Sequence, residues 1–375
     1  SFAGSKTAQG NTDGNGKGDF YYTPPSGFLA LCTDNLDDPS IALPGEHFNT
    51  VTYTGTGAST NNAITGVGFA PDFIWLKDRS AGTHHGLFDT IRGTGQRLVS
   101  NDTYAEDTQA SMLSAFGTDG FTTSDHHNTS SNNHIAWNWK AGGTAVSNTD
   151  GTITSSVSAN TTAGFSIVSY TGSGSAATVG HGLSQKPDMI ILKKRSGITQ
   201  WPVGVEQSPM DWTDYIALDK TNNSGDYPYW NDTAPTASVF SIGSDNDVNQ
   251  STDTFIAYCF HSVDGYSKVG SYTGNGSSDG PMIYTGFRPA FFLVKNASTA
   301  STSWRLYDNK RPVYNAADLI LYPDTYGSES GTGHPMDFVS NGIKNRGSWT
   351  EVNTNGDTYI YLAFAESPFK TANAR

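Results

Sequence analysis

Tyr53-Thr54-Gly55-Thr56-Gly57 returns as Tyr170-Thr171-Gly172-Ser173-Gly174, and again as Tyr272-Thr273-Gly274-Asn275-Gly276. A short run ending at each tyrosine, residues 51–53, 165–170 and 269–272, reads as a β-strand. The Thr-Gly-x-Gly that follows reads as a turn. Each copy then runs through a glycine to a proline: Gly68-Phe69-Ala70-Pro71, Gly182-Leu183 up to Pro187, and Gly286-Phe287-Arg288-Pro289. Proline cannot donate to a ladder and sets its own φ, so it marks where a strand begins. The strands expected there are Phe73-Ile74-Trp75-Leu76-Lys77, Met189-Ile190-Ile191-Leu192-Lys193 and Phe291-Phe292-Leu293-Val294-Lys295. From the tyrosine to this lysine the distance is 24, 23 and 23 residues. Spacing this regular predicts one three-dimensional unit present three times. A period of roughly a hundred residues suits a small domain better than a solenoid repeat.

Working outward, the lysine strands are apolar at successive positions, as in a central strand covered on both faces. The lysine itself reads as a solvated edge, stem packed and charge in water. Each unit closes on an aromatic-rich strand: Ile135-Ala136-Trp137-Asn138-Trp139, Ile256-Ala257-Tyr258-Cys259-Phe260 and Ile360-Tyr361-Leu362-Ala363-Phe364. Period-two alternation puts Trp137 and Trp139 on one face, and likewise Tyr258 and Phe260. The rings at 139, 260 and 364 are expected core anchors. Asn128, Asn249 and Asn353 each lie seven residues before the isoleucine and are expected to close the preceding hairpin through their own backbone.

The expected fold is therefore all-β: tandem antiparallel β-sandwich modules in three related copies. Residues 48–143 form module 1, 164–265 module 2 and 266–375 module 3, with 144–163 a linker and small hairpin. Residues 1–47 fall outside the repeat and read as an arm or the end of a preceding β domain. Asp19-Phe20-Tyr21-Tyr22 and residues 27–32 are expected strands there, and residues 1–10 do not resemble a signal peptide. Asn11-x-Asp13-x-Asn15-Gly16 has the spacing that opens a calcium loop, but Tyr22 stands where that loop needs glutamate, so a glycine-rich turn is the preferred reading.

Composition narrows the function. The net charge is −13 with only 15% charged residues. That disfavours a nucleic-acid binder, which needs lysine and arginine for phosphates, and docking on anionic lipid. No run of eighteen apolar residues suggests membrane insertion. Cys32 and Cys259 read as two small buried hydrophobes rather than a disulfide. No cofactor motif and no metal-ligand set is read.

Phe88-Asp89-x-x-Arg92 in unit one and Tyr307-Asp308-x-x-Arg311 in unit three read as an ion pair or turn lock beside a ring, and unit two lacks them. The adjacent pairs His84-His85 and His126-His127 do not form a site alone, because neighbours in a strand face opposite ways. Asp102, Glu106 and Asp107 lie close in sequence, yet nothing sets two carboxylates across a sugar as glycoside hydrolysis requires. No catalytic residue is assigned, and the chain reads as a non-enzyme. Trp201, Trp212 and Trp230 in unit two are candidates to stack on sugars, against the plainer reading that they pack between sheets.

Taken together, Tyr-Thr-Gly-x-Gly, Gly68 to Lys77, Asp89-x-x-Arg92-Gly93 and Ala136-Trp137-Asn138-Trp139-Lys140 resemble a family of repeated modules. So do Ser340-Asn341-Gly342-Ile343-Lys344 and Leu362-Ala363-Phe364-Ala365-Glu366-Ser367-Pro368-Phe369. That family occurs in structural and tail-fibre-like proteins of marine phages, especially cyanophages, and the resemblance covers about 48 to 369. Residues 12–35 resemble the end of a concanavalin-like, SPRY-like domain. The resemblance implies a virion component in a tail fibre or surface appendage, assembled in the host cytoplasm. It also implies self-association, as the homotrimer common among fibres or another closure, contact with other virion proteins, and contact with a host surface glycan. The alternative is a carbohydrate-binding adhesin or lectin module; a glycan depolymerase is the third reading.

Overall fold

A computed structural model describes residues 7–312, 314–331 and 334–372. The architecture is all-β, with several antiparallel sheets; helix is limited to single turns such as Asn246–Asn249 and Thr350–Asn353. Twelve strands carry the fold. In the first unit they are β1 (Phe48–Thr54), β2 (Phe73–Asp78), β3 (Gly86–Asp89) and β4 (Asn133–Trp139). In the second they are β5 (Phe165–Thr171), β6 (Met189–Lys194), β7 (Pro202–Val205) and β8 (Thr254–Phe260). In the third they are β9 (Ser267–Thr273), β10 (Phe287–Asn296), β11 (Arg305–Asp308) and β12 (Thr358–Pro368).

The strand order is β1-β4-β2-β3, β5-β8-β6-β7 and β9-β12-β10-β11, the same each time. Register repeats too: Phe48 and Phe73 both oppose Trp139, Phe165 and Met189 oppose Phe260, and Ser267 and Phe291 oppose Phe364. The hairpin of Val146–Asn148 and Ser155–Asn160 extends the second sheet on one edge. Asp214–Ala217 and Gly225–Asp226 extend it on the other.

Each lysine strand is buried along its whole length because its sheet is covered on both faces. One face packs under a small sheet of the same unit. Ile74, Leu76 and Phe88 lie under Ile64 and Phe121; Ile190 and Leu192 under Phe240 and Ile242; Phe292 and Val294 under Phe338 and Ile343. The other faces of all three sheets meet in one common core containing Phe48, Phe73, Trp139, Phe165, Ile191, Phe260, Phe291 and Phe364. The expected anchor rings touch across units, Trp139 to Phe364 at 5.8 Å and Phe260 to Phe364 at 6.0 Å between centroids. Phe73 stacks on Tyr258 at 4.3 Å. The space left at the centre is about 10 Å³ and lined by apolar side chains from all three units, so it stays dry. The units are thus not beads on a string; they close around a single core.

The opening segment departs from expectation. Neither expected strand forms among residues 7–46; only Asn11 and Phe20 make an isolated bridge. Most of its apolar side chains stay in solvent, with Phe28 68% and Leu31 103% exposed, while Ile41 joins the common core. Cys32 is exposed as well, while Cys259 is buried; both are free thiols.

Candidate functional site

The residues the sequence repeats are the first candidates, and the structure uses each to hold the fold. Lys77, Lys193 and Lys295 are fully buried, not solvated as their place at a strand end suggested. Lys77 Nζ donates to the carbonyls of Thr83 at 2.7 Å and Tyr326 at 3.2 Å. Lys193 Nζ donates to Thr103 O at 2.9 Å and to Thr199 O. Lys295 Nζ donates to Asn296 O at 2.8 Å and Thr302 Oγ1 at 2.9 Å. Burial lowers all three amines to about 8. Tyr326 lies in unit three and Thr103 in unit one, so two of these lysines bind across a unit boundary.

Eight or nine residues beyond each lysine stands a ring N–H. Trp201 Nε1 donates to Val99 O at 3.0 Å, and Trp304 Nε1 donates to Ala217 O at 2.8 Å. His85 Nε2 lies 3.0 Å from Tyr322 O, while its Nδ1 accepts from Trp75 Nε1 at 2.8 Å. Accepting at Nδ1 fixes the neutral tautomer that donates from Nε2. Unit two therefore reaches into unit one, unit three into unit two, and unit one into unit three. The contacts run head to tail and close.

The Asp/Arg pairs belong to the same boundaries. Arg92 Nε meets Asp89 Oδ2 at 2.5 Å, and Arg311 Nε meets Asp308 Oδ2 at 2.6 Å, all four side chains buried. Arg92 continues to Glu106, which forks onto Arg195 of unit two. Arg311 continues to Glu329, which forks onto Arg79 of unit one. The aspartates also accept from the next unit: Tyr258 Oη donates to Asp89 at 2.9 Å and Trp137 Nε1 to Asp308 at 3.3 Å. At the third boundary Val205 replaces the aspartate, Ser224 the glutamate, Ala297 the second arginine and Leu362 the donor ring. Only the backbone bond persists, Ser224 N to Ala297 O at 3.0 Å beside Glu106 N to Arg195 O at 2.8 Å and Glu329 N to Arg79 O at 2.9 Å. The ionic relay is present or absent as a set.

The asparagines correct another expectation. They do not close their own hairpins; each reaches back more than seventy residues to the Tyr-Thr-Gly-x-Gly loop. Thr56 N, Ser173 N and Asn275 N donate to the side-chain oxygens of Asn128, Asn249 and Asn353 at 2.9, 2.7 and 2.8 Å. Tyr53, Tyr170 and Tyr272 donate their hydroxyls to the carbonyl just before each asparagine. A Cβ on Gly55, Gly172 or Gly274 would sit 2.0–2.2 Å from the carbonyl just after it, so the first glycine is needed for close approach.

The remaining candidates resolve similarly. Trp201, Trp212 and Trp230 are 0%, 3% and 0% exposed. Trp212 and Trp230 pack edge to face at 5.4 Å, so no sugar reaches these rings. Glu106 and Asp107 are held in ion pairs, the latter with Arg97 at 2.6 Å. His127 is buried against Phe88, with neither ring nitrogen hydrogen-bonded. Asp13 accepts from Ala30 N and Asn35 Nδ2 at 2.7 Å and from Asn15 N and Lys17 N at 2.9 Å, a turn-forming role that pulls its carboxyl down to about 2. Among the described residues no group of three or more His, Cys, Asp or Glu is placed to hold a metal.

One open feature lies on unit two; a groove of about 510 Å³ also lies between unit one and the linker, lined by His47, Asp72, Lys140 and Asn160. Tyr215, Tyr227 and Tyr229 pack together, with centroids 4.4 to 5.8 Å apart. Tyr227 Oη donates to Asp245 Oδ2 at 2.9 Å and Tyr229 Oη to Asp247 Oδ2 at 2.8 Å. Beside them runs a groove of about 430 Å³ lined by Gly174, Ser175, Pro228, Asn231, Ser244 and Asp245. The tryptophans singled out from the sequence are buried, whereas Tyr227 beside them is exposed. Tryptophan is the larger apolar surface and is drawn inward, whereas a tyrosine hydroxyl lets one edge face water.

Fold and site thus define an all-β protein whose repeated polar residues are internal. A model of a domain of unknown function (DUF7483) matches residues 43–368, and the chain belongs to that family. The matched span begins just before β1 and ends with β12, enclosing the whole ring. No curated protein and no solved structure matches the chain.

Proposed function

We propose that this chain is a non-catalytic structural component of a phage virion that forms or decorates a tail fibre or surface appendage and touches the host. Its body is read as three related copies of one β-sandwich, fused head to tail. The observation that carries this reading is the closed ring: three sheets around one core make, within a single chain, the threefold hub that fibre proteins commonly build from three chains. Self-association is read as satisfied internally, and the partners are other virion proteins. The resemblance of residues 48 to 369 to marine-phage modules supports the same reading. Mass spectrometry and antibody labelling of purified particles test it. The chain is expected in the particle, at the tail or an appendage; a chain recovered only as free protein, absent from particles, overturns the proposal.

The second reading is a carbohydrate-binding adhesin. The tyrosine-edged groove of unit two favours it, and it is compatible with a place on the particle. The depolymerase reading gains nothing, because Glu106 and Asp107 are neutralised by arginines rather than facing each other across a cleft.

A further inference from the structure

We propose that the groove on unit two binds an uncharged hexose residue of a glycan. This rests on the reading that the protein contacts host carbohydrate and assigns that contact to named residues. The volume, about 430 Å³, falls in the usual range for small-ligand sites, about 300–1,000 Å³. Pro228 supplies an apolar wall. At the edge stands Tyr227, 40% exposed and fixed by its neighbours Tyr215 and Tyr229, so little side-chain freedom is lost on binding. A sugar ring has one apolar face and a rim of hydroxyls that both donate and accept. The groove offers the matching functions. Asp245 accepts and is oriented by Tyr227 Oη on one oxygen and Asp247 N on the other. Asn231 and Ser244 line the groove, and neither side chain is engaged in a hydrogen bond.

Charge sets the ligand class. Between residues 205 and 249 there are eight acidic residues and one basic residue, Lys220. A uronate, sulfate or sialate would meet like charge here, whereas a neutral sugar would not. The groove is not repeated in unit three. The position of Asp245, four residues before the locking asparagine, is Trp349 in unit three. That ring stacks on His334 at 4.4 Å and lies over Gly347, which corresponds to Gly243. Unit three has thus closed with a tryptophan the space that unit two leaves open.

The test uses the full chain on an array of neutral and acidic glycans, followed by calorimetry with the neutral glycan retained. Asn231→Gly removes the amide at a residue whose φ of 51° glycine adopts readily, so the fold is kept. Ser244→Trp fills the groove. Retention of neutral hexose glycans is expected, with each variant weakening binding by about tenfold or more while the melting temperature of Asn231→Gly stays at the parent value. Absence of neutral-glycan binding, a preference for sulfated or uronic glycans, or affinity untouched by both variants overturns the assignment. Each outcome is read on isolated protein, so it is separable from whether the chain is found in particles.

Discussion

His127 stands immediately before the locking asparagine, where unit two has Val248 and unit three Val352. It is buried, neither ring nitrogen has a partner, and burial together with His134 and Arg97 holds its pKa well below the ordinary value. His85 is depressed the same way by burial, and His181 falls to about 4. The sign follows: the unfolded chain takes up protons at these histidines below about pH 6.5 while the folded chain resists. The stability they contribute is complete above that pH and is lost as pH falls toward the folded values. Every tenfold difference in proton affinity between the folded and unfolded chain corresponds to about 1.4 kcal/mol. The urea midpoint is therefore expected to drop steeply between pH 7 and 5. His127→Val should raise the midpoint at every pH and flatten that slope; an unchanged slope would show that the acid sensitivity arises elsewhere. Asn249→Ala is expected to destabilise by about 1–3 kcal/mol, because Ser173 N loses its buried acceptor and Ser175 O and Gly243 O lose their donor. Hydrogen exchange should quicken first in residues 172–176. The registration of these residues was legible from spacing, but their partners were not. Asn128 and Thr56 are 72 residues apart, and the carbonyl of Tyr326 that receives Lys77 is 249 residues away. A strand-end lysine looks solvated only while those carbonyls are out of view.

At the level of strands and loops, the unit boundaries carry a second lesson. The absence of the Asp/Arg pair from unit two was visible in the sequence. That Ser224, Ala297 and Leu362 are its correlates was not, since they become neighbours only when the ring closes. The pairs are buried, and a buried charge left alone is worse than none. Asp89→Val, which copies Val205, should cost about 3–5 kcal/mol because Arg92 loses its buried carboxylate and keeps Glu106, the Tyr258 hydroxyl and the carbonyls of Leu87 and Gln96. Combining it with Arg92→Ser and Tyr258→Leu, which brings the buried inner part of this boundary to the composition of the neutral one and leaves the Glu106–Arg195 pair in place, should restore a large part of that loss. Denaturant melts of the single and combined variants measure the coupling. Simple additivity would mean that the relay does not act as a set. The lysine strands follow the same logic: their two apolar faces were read correctly as doubly covered, but one cover is the unit's own small sheet and the other is the two neighbouring units.

For the molecule as a whole, the inward faces of three sheets make one core, so no unit can be removed without exposing the others. Residues 164–265 taken alone would expose Phe165, Ile191, Tyr258 and Phe260, all buried in the chain. Aliphatic and aromatic side chains of this size each contribute about 1.5–3 kcal/mol by full burial, against a net stability for ordinary domains of about 5–15 kcal/mol. The excised unit is therefore expected to aggregate or stay unfolded, although it contains a complete copy of the strand order. The intact chain should unfold in one calorimetric transition whose van't Hoff and measured enthalpies agree. It should also sediment as a 40.0 kDa monomer, because a heterologous contact that closes within the chain leaves no open end to recruit another copy. Three separable transitions, or an excised unit that melts cooperatively on its own, would return the molecule to a string of independent modules. A stable trimer would mean that the ring is itself a building block stacked by surfaces outside this core. The decisive comparison is calorimetry of the whole chain beside residues 164–265, since the shared core alone forbids the unit from reproducing any part of the parent's transition.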